Sequence, residues 1–304
     1  MKHLLWCLLV IGCAVSSPAR ADYLFVANQL GTISEVSPSG SVSTFASGFV
    51  APTALAFNSS GDLFVADGAT GIISEVTPSG QVSTFASGFV APSALAFNSS
   101  GDLFVADENT GIISEVTPSG QVSTFASGFN TPTGLTFNAS GDLFVAVYSN
   151  NTISEVTPSG QVSTFASGFD GPFGLAFNSS GDLFVTNSNF GNNTISEVTP
   201  SGQVSTFANM PGEPIALAFN ASGDLFVAVI SNNTISEVTP SGQVSTFASG
   251  LNQPRGLAFS PEVASVPEPT TLLLLGQGTA ALLGLAWRSR PRGKRQADRL
   301  EPVM

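Results

Sequence analysis

The sequence has one histidine, two cysteines and only 10% charged residues among its 304. His3, Cys7 and Cys13 all lie in an apolar run at the start. With that run removed, the chain has no imidazole, no thiol and no disulfide, which excludes Cys/His zinc sites, cysteine nucleophiles and histidine-based triads together. Basic residues are almost as scarce in the body of the chain. Residues 22–262 hold 18 acidic residues against the single Arg255, a net −17, whereas the whole chain sums to −12. A body of that sign repels phosphate, so no nucleic-acid partner is expected. The other eight bases are at the ends: Lys2 and Arg20, then Arg288, Arg290, Arg292, Lys294, Arg295 and Arg299. What is plentiful is 42% hydrophobic residues, with 24 Phe, 31 Gly and 19 Pro. That composition belongs to a folded chain rather than a disordered polymer.

The two ends read as addresses. Residues 1–21 have the form of a signal peptide for a signal peptidase: Lys2 and His3, the apolar stretch Leu4 to Val15, and a small-x-small cleavage site ending at Ala21. Val10-Ile11-Gly12-Cys13 supports a rival reading as a lipoprotein acylation box. At the other end, residues 261–269 form a linker containing Pro267, Glu268 and Pro269. Residues 270–287 carry no formal charge, and 288–304 are a basic tail. At 1.5 Å per residue the uncharged segment spans about 27 Å as a helix, enough to cross a hydrocarbon core. The bases after it stay cytoplasmic and leave the preceding chain outside. A buried helix of a soluble domain is the alternative, because Gln277 and several Gly and Ala interrupt the apolar run.

Pro267-Glu268-Pro269, an uncharged helix and an arginine-rich end together resemble the PEP-CTERM sorting signal of Gram-negative bacteria. The resemblance implies recognition by an exosortase, passage through the inner membrane, anchoring by the helix, and transfer to the cell surface or extracellular matrix. The ending from Gln296 to Met304 departs from the family pattern.

Between the addresses the chain repeats. Leu-Phe-Val begins at Leu24, Leu63, Leu103, Leu143, Leu183 and Leu225, a period near 40. Ile-Ser-Glu-Val and Ser-Thr-Phe-Ala each recur six times as well. Each unit holds four short β-prone runs, here named a to d: Ala94 to Phe97, Leu103 to Ala106, Ile73 to Val76 and Val82 to Ala86 are examples. Asn-Ser-Ser-Gly joins a to b and Pro-Ser-Gly joins c to d, both tight-turn sequences. Six such units over residues 22–260 predict an all-β fold, a six-bladed β-propeller of four-stranded blades. A four-stranded β-solenoid is the alternative. The chain enters the repeats at run b and leaves them after run a at Arg255 to Phe259, so the last strand is expected to complete the first blade and close the ring. The segment Pro52 to Asp67 resembles the NHL repeat and its relatives in gluconolactonase-like propellers.

Eighteen Phe occupy three fixed repeat positions and are expected to pack between blades. Four more (Phe49, Phe89, Phe129, Phe169) share a loop position, leaving Phe173 and Phe190 outside the pattern. One glutamate per unit, from Glu35 to Glu237, lies in run c and is expected to be solvated or bonded to Ser/Thr. The loops after Asp67 and Asp107 could hold Ca2+ or another divalent cation on oxygen ligands, but turn formation is the favoured reading and no cofactor is assigned. The gluconolactonase-like resemblance implies a divalent metal on axial carboxylate and amide ligands; by position those are Asn28, Asp67, Asp107, Val147, Asn187 and Val229, which form no recognisable ligand set. Related propeller lyases use a histidine, which the repeats lack.

Variation among copies collects in the b–c and d–a loops, which share one face of an antiparallel blade. The face bearing Asp67, Asp107, Tyr148, Asp170, Phe190 and Arg255 is therefore the candidate surface for a protein or glycan partner. The reverse, hairpin face carries the exit at Phe259 and is expected to point to the membrane. The reading is an exported, noncatalytic binding or structural module, with no catalytic residues assigned. Its alternatives are a metal-dependent gluconolactonase-like hydrolase and a young repeat expansion with little refined function.

Overall fold

A computed structural model of the protein describes residues 22–189 and 191–261. The signal segment with Ala21, the residues from 262 onward with Pro267, Glu268 and Pro269, the expected membrane helix and Phe190 lie outside the described residues. Among the described residues there are six four-stranded sheets and no α-helix. Blade 2 shows the pattern: a is Pro52–Phe57, b is Leu63–Asp67, c is Ile72–Val76 and d is Val82–Ser87, each antiparallel to its neighbour. Strand a starts two residues earlier than the run suggests, at a proline. A strand's first position tolerates proline because no ladder N–H is needed there.

Blade 1 takes its b, c and d strands from Leu24–Asn28, Thr32–Val36 and Val42–Ser47. Its a strand is the last among the described residues, Pro254–Phe259, which pairs Leu24 with Phe259 and Val26 with Leu257. The six a strands (Pro52–Phe57, Pro92–Phe97, Pro132–Phe137, Pro172–Phe177, Pro214–Phe219 and Pro254–Phe259) each neighbour the next, and the sixth neighbours the first. The molecule is a six-bladed propeller closed by its C-terminal strand. A solenoid, having two free ends, would not join its last strand to its first unit.

Strand b is buried at every position because a blade lies on each side of it. Phe64 and Ala66 join Ile73 and Ala86 on the face toward blade 3, which answers with Leu95, Leu103, Val105 and Val116. Burying each such Leu, Val or Ile contributes about 1.5–3 kcal/mol. The eighteen repeat Phe form trios: Phe64 stands edge-on to Phe85 of its own blade and to Phe97 of the next, with centroids 4.8 and 5.0 Å apart. The trio of Phe226, Phe247 and Phe259 seals the closing junction in the same way. Strand d is the exposed edge, and a bulge opposite Ile73/Ser74 breaks its ladder, a feature that hinders edge-to-edge pairing.

The hairpin turns are built from side chains. Asn58 Oδ1 accepts from the backbone N–H groups of Ser60 and Asp62 at 3.0 and 2.8 Å, and its amide donates to Asp62 Oδ2. Asn98, Asn138 and Asn178 repeat all three bonds.

Candidate functional site

The b–c and d–a loops emerge together at the opposite end of the ring from these hairpins, and their geometry follows from the residue that ends strand b. In blade 2 this is Asp67, only 4% exposed. Its Oδ2 accepts from Val50 N at 2.7 Å, and its Oδ1 accepts from Ala51, Ala69 and Thr70 N–H groups at 3.2–3.3 Å. One carboxylate thus ties the loop entering the blade to the loop leaving strand b. Asp107 does the same for Val90, Ala91 and Thr110. Asn28 and Asn187 hold the entering loop through one bond each, to Asn252 N and Asp170 N, both at 3.2 Å.

Blades 4 and 6 end strand b with Val147 and Val229 and use a different device. A single 3-10 turn follows, Tyr148–Asn150 or Ile230–Asn232, and the next residue, Asn151 or Asn233, is left-handed at φ 55 or 57. Their side chains accept from Gly171 N and Gln253 N at 2.9 and 2.8 Å. The loops after Asp67 and Asp107, read from the sequence as turns with Ca2+ binding as the alternative, are turns in which backbone amides engage both carboxylate oxygens. Among the described residues, no three His, Cys, Asp or Glu side chains come together to hold a metal ion.

The mouth of the axis is set by the second residue of strand a. In blades 2, 3 and 4 this is Thr53, Ser93 and Thr133, whose hydroxyls donate to the carbonyls of Pro92, Pro132 and Pro172 on the next a strand at 2.7, 2.8 and 3.0 Å. These hydroxyls latch neighbouring blades together. In blades 5, 6 and 1 the same position holds Phe173, Ile215 and Arg255. Blade 5 recovers the latch from another strand: Thr186, where the other copies have Ala, donates to Ile215 O at 3.0 Å and accepts from Gly174 N at 2.8 Å. The axial cavity inside is only about 80 Å³ and is lined by all six a strands. The third residue of each a strand is Ala or Gly because the strands crowd there. A Cβ on Gly134 would overlap the carbonyl of Phe173, and one on Gly256 would press on the backbone of Thr53 and Ala54.

Of the residues expected to form the contact surface, Asp67 and Asp107 are buried loop ties. Tyr148 packs edge-on against Phe173 at a centroid distance of 6.5 Å. Asp170 accepts from the amides of Asn189 at 2.6 Å and Asn192 at 3.1 Å. Arg255 lines the axial cavity together with Phe173 and donates through Nε to Gln29 Oε1 at 3.1 Å. Phe173, Ile215 and Gln29 belong to the mouth but were missed as candidates. The available signal was the second position of run a, the variable place in a nearly constant segment, where Phe173 already broke the Phe pattern.

Comparison with known proteins places this geometry. Catalytically inactive virginiamycin B lyase from Staphylococcus aureus, a histidine-to-alanine variant seen with quinupristin, aligns at TM-score 0.57 and 18% identity, over 77% of this chain and 86% of that one. A chain from a nidogen/laminin complex aligns at TM-score 0.72 and 17% identity, over 80% and 100%. A gluconolactonase from Xanthomonas campestris aligns at 0.62 and 15%, over 75% and 85%. At these identities the fold is what is shared. No curated protein matches the chain in sequence. The PEP-CTERM protein-sorting motif matches residues 265–290, which marks the chain for export and membrane association. The virginiamycin B lyase family model matches residues 87–265, more than half of the sequence, and the chain belongs to that family.

Proposed function

We propose that this exported propeller is a noncatalytic binding module of the cell surface or extracellular matrix, meeting a protein or glycan partner at the varied mouth. The observation that carries the reading is the exchange in blade 5. Thr186 takes over the latch between blades, and the position it relieves presents Phe173 beside Tyr148. Around the ring from Phe173 stands Arg255, the sole base of residues 22–262. An aromatic pair and an arginine are the residue types that anchor protein interfaces.

Catalysis has less to stand on. The lyase relative is inactive as a histidine-to-alanine variant, and the only histidine here is His3, before the repeats. A gluconolactonase-like hydrolase needs carboxylates on the axis, whereas Asp67 and Asp107 are engaged by loop amides. An axial cavity of about 80 Å³ is well below the ~300–1,000 Å³ of small-molecule sites. The partner would therefore cover the mouth rather than enter it.

The test is a glycan and protein array probed with the full-length protein. Arg255→Ala and Phe173→Ala should weaken the signal about tenfold or more, the scale of an interface hot spot, with an unchanged thermal melt. Equal signals from wild type and both variants would overturn the assignment of the mouth.

A further inference from the structure

The hairpin face carries a second kind of cavity, independent of the varied mouth. Between blades 3 and 4 a cavity of about 660 Å³ is lined by Glu115, by the trio Phe104, Phe125 and Phe137, and by the turns that start at Asn98 and Asn138. The equivalent cavity between blades 5 and 6, about 290 Å³, lies around Glu197. Both approach or fall within the size range of small-molecule sites. Glu115 is paired across the sheet with Phe104, so its side chain leaves the sheet on the same side as that ring. It is half-buried beside rings whose centroids stand 4.9 and 5.0 Å from that of Phe104.

The polar groups around this space are matched to a donor. The amides of Asn98 and Asn138 already donate to Asp102 and Asp142, and their Oδ1 atoms already accept backbone N–H groups. The Glu115 carboxylate accepts no hydrogen bond from the described residues. No Lys, Arg or His lines either cavity. What is left is a carboxylate, serine hydroxyls and aromatic rings in a body of net charge −17. An anion is repelled, and a neutral polyol finds few donors. An ammonium group satisfies the carboxylate, is attracted by ring quadrupoles and lays its methylene stem on the Phe surface.

We propose that these inter-blade cavities bind a primary alkylammonium group, with the nitrogen on Glu115 or Glu197. Saturation-transfer NMR on the full-length protein in a neutral detergent tests this with three probes: butylammonium chloride, Nα-acetyl-lysine methylamide and 1-butanol. Butylammonium should give a saturable signal and butanol none. Binding of the lysine derivative as well would assign the site to a lysine side chain of a partner, and its exclusion would assign it to a free amine. E115Q/E197Q should lose most of the saturable signal, and the charge-matched E108Q/E213Q should lose none. Each single substitution, E115Q and E197Q, provides the same comparison should the double variant misfold. Equal binding of butanol, no saturable butylammonium binding, or equal loss in the charge-matched variant would overturn the proposal.

Discussion

Asp67 shows how one side chain organises two loops. Its carboxylate satisfies four backbone N–H groups drawn from the loop entering blade 2 and the loop leaving strand b. Removing it leaves buried donors unpaired, each costing about 1–3 kcal/mol. Asp67→Ala is therefore expected to destabilise the protein by about 2–4 kcal/mol in urea denaturation. Asp67→Asn should lose much less, because Asn28 and Asn187 hold the same place in their blades. Equal losses in the two variants would contradict the role. The sequence showed that an Asp or Asn commonly ends run b. It could not show the partners, which lie 16 and 17 residues upstream in loops that differ from copy to copy.

The strands and turns were the most legible level. Four runs per unit, Asn-Ser-Ser-Gly and Pro-Ser-Gly all become the strands and hairpins they predict, since each turn is a local matter of side-chain bonds and glycine geometry. Inner-strand starts were less legible because a proline can open a strand or end a loop. The latch between a strands was not legible at all, since Thr53 and Pro92 meet only when the ring forms. The Phe trios pack across each junction between blades, alongside Leu, Val and Ile. Phe104→Ala, which empties the centre of one trio, should reduce stability by about 3–5 kcal/mol as measured by chemical denaturation. A loss below about 1 kcal/mol would mean that the trio fills space without holding the blades.

At the scale of the whole chain, an acidic ring is followed by a sorting motif and a basic end. The sorting motif at residues 265–290 directs export, and the last strand, ending at Phe259, brings the chain out at the hairpin face. On intact cells, a cysteine replacing Asn189 on the varied face should be labelled faster than one replacing Ser79 on the hairpin face. Equal labelling would contradict an outward-facing mouth. The central claim is that a chain of the virginiamycin B lyase family, without a histidine in its repeats, presents its mouth for binding rather than catalysis. It is tested most directly by incubating the purified full-length protein with quinupristin and following the compound by mass spectrometry. The predicted result is quinupristin recovered unchanged at the level of a protein-free control; protein-dependent consumption with a new product would contradict the claim.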